Sequence, residues 1–212
     1  MTAGCATAKQ PGPLSAAVAF ALAFLVAAAA PVRAAEVRAN EVEKHYSISG
    51  TTGFELYESI GARGPLIRDG ASRAVAITEF DLKWGRDYVR DGNDCVLAAA
   101  RSFLTITYTY PKPAQTLPPD VAARWRVFIE GIRVHEAVHG RYVLEMAQQI
   151  YDTTVGFRQK NDPGCKTIRS AIQTPLKAAF DRYKARNRAF EEAEMRDGGN
   201  VHRLILQLVN GP

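Results

Sequence analysis

The chain has 212 residues, 47% of them hydrophobic and 23% charged, a composition that fits one ordinary globular domain and excludes a mainly disordered protein. Lys and Arg outnumber Asp and Glu by 27 to 22, and the resulting +5 is too mild to mark a nucleic-acid binder. No element interleaves aromatic with basic residues either, so no nucleic-acid partner is expected.

The N-terminus reads as a secretory signal. Lys9 precedes an apolar, alanine-rich run from Leu14 to Ala30, and Val32-Arg33-Ala34 closes it with small residues nearby. Cleavage is placed after Ala34, because a cut after Ala30 would set Pro31 against the scissile bond and a cut after Ala35 would put Arg33 at the third position upstream. An uncleaved membrane anchor is the rival reading, but the run is roughly seventeen residues long and spanning takes about twenty. Thr2-Ala3-Gly4-Cys5 resembles a lipoprotein box yet precedes the apolar run, which argues against lipidation. The expected organisation is a signal peptide over 1–34 and a single domain over 35–212, secreted or periplasmic, with no membrane span after cleavage. Cleavage lowers the net charge by two and removes Cys5, leaving Cys95 and Cys165. In an oxidising compartment that pair is expected to form a disulfide.

Residues 42 to 49 alternate in character up to Gly50, which predicts a strand. A turn at Thr51-Thr52 leads into a short helix over Gly53 to Ile60, stopped by Gly61 and Gly64-Pro65. Ala74 to Trp84 alternates with one irregularity and predicts a second strand. Beyond the charged turn Arg90-Asp91-Gly92-Asn93-Asp94, the run from Cys95 to Tyr110 sets Leu104, Ile106, Tyr108 and Tyr110 on one face and three threonines on the other. That is a strand with one solvated side, ended by Pro111-Lys112-Pro113. Together these pieces predict a small antiparallel sheet of about three strands.

Leu117-Pro118-Pro119-Asp120 opens a long helix, along which Trp125, Phe128, Ile132, His135, His139, Tyr142, Met146 and Ile150 recur at spacings of three and four. Asn161-Asp162-Pro163-Gly164 makes a loop, and a second helix is expected over about 167–196, kinked or restarted at Pro175. Its inward seam is Ile172, Leu176, Phe180, Tyr183, Asn187, Phe190 and Glu194, while Lys177, Asp181, Lys184 and Arg188 face away as solvated surface. The tail from Val201 to Val209 is apolar enough to pack as a final helix or strand. The fold class is therefore α+β, a small sheet packed with a long helical hairpin.

The first long helix carries His135-Glu136-Ala137-Val138-His139, a His-Glu-x-x-His motif. Histidines four apart lie one above the other on a helix, so both imidazoles can reach one metal ion, with Glu136 beside it to move a proton. Only four histidines occur in the chain, and two of them stand here. Two ordinary core histidines could share this spacing, and the charged neighbours Arg133 and Arg141 fit the extended zinc-protease pattern poorly. If the two helices form an antiparallel hairpin about a loop near residue 160, His135 and His139 face residues 181 to 187, where a third ligand should be sought.

Residues beyond the motif carry a resemblance. Tyr46-x-Ile48-x-Gly50-x-Thr52-x-x-Glu55-Leu56, Gly64-Pro65, Thr78 to Trp84, Cys95, Leu117-Pro118, Trp125-x-x-Phe128, the zinc motif and Cys165 are similar to a bacterial family catalogued as domain of unknown function 922. That family is described as predicted secreted zinc-dependent proteases. The resemblance implies a small secreted α+β domain with a disulfide, a zinc ion and a peptide or protein substrate. It also exposes a departure. The family's second helix carries Tyr-Asp-x-x-Thr-x-His-Gly, but here Phe180-Asp181 is followed by Lys184, Arg186 and Asn187 at the last key positions. An arginine cannot ligate zinc, so the third ligand has moved or the site is weak.

Glu145, Glu194, His45, His202, Asn187 and Tyr183 are the substitutes weighed, and none is chosen. Glu145 lies about 15 Å along the helix from His135, too far to share an ion. The expected function is a zinc-dependent metallohydrolase, a peptidase, with His135 and His139 on zinc, Glu136 activating water and Tyr183 or Arg186 stabilising an oxyanion. The alternative is a non-catalytic envelope protein keeping the fold with a structural or vestigial metal site.

Overall fold

The computed structural model describes residues 37–67, 70 and 72–210. The expected signal peptide, 1–34, lies outside the described residues.

The first strand, β1 (Ala39–Ile48), ends just before helix α1 (Gly53–Arg63), which starts on a capping box. The Thr52 hydroxyl accepts from the Glu55 amide, and the Glu55 carboxylate accepts from the Thr52 amide, so two amides without helical partners are satisfied reciprocally. The helix runs through Gly61 and stops at Gly64, one turn later than the sequence suggests. Strands β2 (Ile77–Asp91) and β3 (Asp94–Pro113) form a long hairpin, joined through Gly92 at φ +62°. A register shift at Asp87/Tyr88 interrupts it.

The sheet is mixed, which corrects the antiparallel expectation. Strand β3 is central, pairing antiparallel with β2 and parallel with β1, as in Ala39 with Leu104 and His45 with Tyr110. The chain leaves β1 through α1, runs back along β2 at the far edge and reverses again at the hairpin, so β3 lies beside β1 in the same direction; parallel neighbours need such a long connection and cannot be joined by a tight turn.

Helix α2 (Pro119–Thr154) has 36 residues, about 54 Å at ~1.5 Å each. It begins at Pro119, a position where the missing N–H costs nothing. After it, the short strand β4 (Arg158–Gln159) pairs with β3 at Cys95 and Val96, and Cys95 is bonded to Cys165 as expected. The Asp162 carboxylate accepts from the Lys166 and Ile168 amides and so organises the entry to α3 (Ile168–Ala171). Helix α4 (Gln173–Met195) follows after a break at Ile172. Pro175 explains the break, because it lacks the N–H that would bond Ala171 and its ring crowds that carbonyl. Helix α5 (Asn200–Asn210) settles the tail as a helix, burying Val201, Leu204 and Leu208.

Two apolar clusters hold these layers together. One joins Ile48, Leu56 and Ile60 to Phe128 and Ile132 of α2 and to α5. The other joins Leu104 and Ile106 to Val143, Met146 and Ile150 of α2 and to Ala179 of α4. Between Ile132 and Val143, α2 turns His135, Glu136 and His139 into the protein, all buried, so the polar site sits at the seam between two cores.

Candidate metal centre

Close approach of α2 to the sheet depends on Gly140, directly after the motif. A Cβ there would lie 2.0 Å from the Tyr108 hydroxyl, so no larger residue fits without moving the ring. From the other side, Thr78 of β2 donates to Glu136 Oε2 at 2.6 Å.

Helix α4 runs antiparallel to α2, with Arg186 on Glu145, Asn187 on His139 and Glu194 on His135. The level opposite the histidines is thus 187 to 194, not 181 to 187. The connection is not a simple turn: β4, the disulfide loop and α3 occupy it and shift the hairpin's midpoint along the chain.

This register brings Glu191 to the histidines. Its Oε1 lies 2.9 Å from His139 Nε2 and 3.5 Å from His135 Nε2, and the two Nε2 atoms are 3.1 Å apart. These three residues could hold a metal ion. These separations are short enough for one ion to contact all three atoms at the ~2.0–2.2 Å of zinc–nitrogen and zinc–oxygen bonds, so His135, His139 and Glu191 would hold it together. The far side of each ring agrees. Asn187 Nδ2 donates to the Tyr183 carbonyl, which turns its Oδ1 toward His139 Nδ1 at 2.5 Å. Glu194 Oε2 faces His135 Nδ1 at 3.5 Å and also accepts from Asn200. Without an ion the Nε2 atoms face the Glu191 carboxylate as donors; with an ion bound, the acceptors at both Nδ1 atoms would keep the ring protons there and free the Nε2 lone pairs, the arrangement that a metal ligand needs. Phe190 stacks on His135 at 4.8 Å and meets His139 edge-on at 5.3 Å, fixing both rings.

Burial pushes the Glu136 carboxyl above the usual carboxylate range, and the Thr78 hydrogen bond and the two histidines only partly offset this. Burial also opposes charge on Glu191, but hydrogen bonds from His135 and His139 outweigh it and bring Glu191 down to about 2. For His139, burial disfavours the cation, yet hydrogen bonds to Glu191 and Asn187 prevail and raise it.

A cavity of about 580 Å³ opens beside the cluster. Glu136, His139, Glu191 and Tyr183 line it, with an apolar wall that includes Ile67, Ala76 and Ile77. Tyr183 packs edge-on against Phe80 at 5.6 Å. Arg188, read from the sequence as facing away, lines this cleft, whereas Arg186 does not. Arg186 instead pairs with Glu145 and covers the Tyr142 ring at 4.0 Å, on another flank of the hairpin. Sequence reasoning missed Glu191 altogether. Its signal was its place four residues beyond Asn187, on the same inward face, but the helix register that makes this matter comes from the disulfide loop.

The fold and the cluster define a small α+β domain with a two-histidine, one-glutamate group that could hold a metal ion. The family described as "Bacterial protein of unknown function (DUF922)" matches residues 43–199, and the chain belongs to that family. No curated protein and no solved structure shows a significant match.

Proposed function

We propose that this chain is a secreted or periplasmic zinc-dependent hydrolase acting on peptide bonds. The observation that carries the reading is the convergence of His135 Nε2, His139 Nε2 and Glu191 Oε1, with the buried Glu136 beside them and outside the ligand set. Two imidazoles and one carboxylate are a donor set that suits zinc, and three protein ligands would leave room for water or substrate, as catalytic rather than structural zinc sites do. Zinc there would supply Lewis acidity to water and to a substrate carbonyl. Glu136, held by Thr78 through one oxygen, takes the proton of the attacking water and returns it to the leaving amine. Its raised pKa suits that exchange, because a base whose pKa nears the working pH can both accept and release a proton. Tyr183 on the cleft wall is the candidate to steady the oxyanion. The Arg186 role expected from sequence has no support in its position.

Secretion is supported by the Cys95–Cys165 disulfide, since such bonds persist in oxidising compartments, and by the signal-like N-terminus. No helix among the described residues is long and apolar enough to cross a membrane.

Metal analysis of the purified chain and of His139→Ala, with a peptidase assay of Glu136→Gln, tests the proposal. Stoichiometric zinc in the wild type, its loss in His139→Ala, and cleavage lost in Glu136→Gln with zinc retained are the expected results. Zinc bound without any dependence of activity on Glu136 would leave a structural site in a non-catalytic envelope protein.

A further inference from the structure

At the opposite end of α4 from the metal cluster, the face of β2 that meets the helices carries an unexpected residue. Thr78, Phe80, Leu82, Trp84 and Arg86 alternate along one side of the strand, and Phe80, Leu82 and Trp84 pack into the core. Arg86 therefore puts a cation in a row of apolar side chains. Its Nε is buried without a hydrogen-bond partner, and its guanidinium has no ion pair among the described residues. Arg124 is the contrast: its Nε is also bare, but Asp120 meets its charge at 3.1 Å. A buried donor left without a partner is unfavourable, so this Nε–H stands ready for an acceptor brought by a ligand.

The space in front of Arg86 suits a ligand that repays this. An open surface cleft of about 600 Å³ is lined by Arg86, Lys177, Gln173 and Thr174 on the polar side and by Ile150, Leu176 and Phe180 on the apolar side. No acidic residue is among those that line it, though Lys177 pairs with Asp181 at 2.5 Å. The depression is open to solvent, so it would hold a small molecule by one face, its apolar wall against the body and its few convergent polar groups on one end. Across the hairpin Arg86 faces Ala100, whose small side chain leaves the guanidinium room. From Leu176 to Glu191 is roughly fifteen residues of helix, about 22 Å, so this site is separate from the metal cluster.

We infer that this cleft binds a small organic anion, a carboxylate or phosphate monoester on an aromatic or branched apolar body, with Arg86 clasping the anionic group. The guanidinium fork matches both oxyanions in bidentate fashion, Lys177 adds charge at the mouth, and Phe180 and Leu176 cover the apolar body. The inference stands apart from zinc and from hydrolysis.

The test uses the mature, zinc-loaded chain with 3-phenylpropionate, phenyl phosphate and the uncharged 3-phenylpropionamide, by calorimetry and thermal shift. One or both anions should bind and raise the melting temperature, and the amide should not; which anion is stronger separates a carboxylate from a phosphate ligand. Arg86→Met should weaken anion binding by roughly ten- to a hundredfold, the ratio a charge-assisted hydrogen bond confers, while the unliganded melting temperature stays or rises. Lys177→Gln, at a side chain 77% exposed, should weaken the anion severalfold without disturbing the fold. Equal binding of acid and amide, no binding of any probe, or affinity unchanged in both variants overturns the inference.

Discussion

Replacing Glu191 by Gln keeps the side chain's size and removes the charge that faces both imidazoles. Glu191 is half-exposed, so the change opens no cavity, and its effect should fall on the metal. A four-ligand zinc site is worth about 10–16 kcal/mol in apparent binding energy, so one ligand's share is about 3 kcal/mol, or roughly a hundredfold in affinity. Competition against a chromophoric chelator measures this directly. Glu194→Gln, whose carboxylate meets His135 at Nδ1 and not at Nε2 and also accepts from Asn200, should cost roughly tenfold as an outer partner. Glu145→Gln should leave zinc affinity unchanged, because Glu145 is committed to Arg186. Unchanged affinity in Glu191→Gln, or a greater loss in Glu145→Gln, would refute the assignment of the third ligand.

Zinc must displace the proton that His139 holds above its ordinary 6.5, so zinc affinity should decline with falling pH, starting above that value. The zinc-free protein should trend the other way. A raised His139 contributes stability that is complete below 6.5 and lost as pH rises through its folded value, while the depressed Glu191 contributes above 4.5 and fades only as pH falls toward about 2. Melting curves in chelator and in excess zinc, from pH 4.5 to mildly alkaline, check this, and parallel curves would contradict it. The double variant Cys95→Ala, Cys165→Ala should lose up to about 4 kcal/mol in urea unfolding, the loop-closure value for a separation of 70 residues. Gly53→Ala should destabilise by about 1–3 kcal/mol or more, because its Cβ would lie 1.8 Å from the Leu208 carbonyl oxygen and push α5 off α1; an unchanged melting temperature would show that the helices slide freely.

Much of the architecture was legible along the chain because it is written in local patterns. Alternation marked β2 and β3, the three-and-four spacing marked α2, Pro175 marked the break before α4, and Pro119 with Asp120 marked the start of α2. The sense of β1 was not legible: a strand's alternation is the same whichever way its neighbour runs, and only the pairing of β1 with β3 rather than with β2 makes it parallel. The outward reading of Arg188 failed for a related reason. Helical periodicity separates an apolar face from a polar one, but it does not tell which polar flank meets solvent and which meets a cleft.

The sequence by itself determined the half of the site that one helix can hold. His135 and His139 share a face because four residues make about one turn, and Glu136 follows beside them whatever the rest of the chain does. The tertiary structure decided the other half. Glu191 reaches the imidazoles, and Asn187 and Glu194 orient them, only because the disulfide-closed loop and α3 set how far along α4 the hairpin closes. That register is a long-range property, fixed by packing between segments far apart in the chain, and no local spacing encodes it.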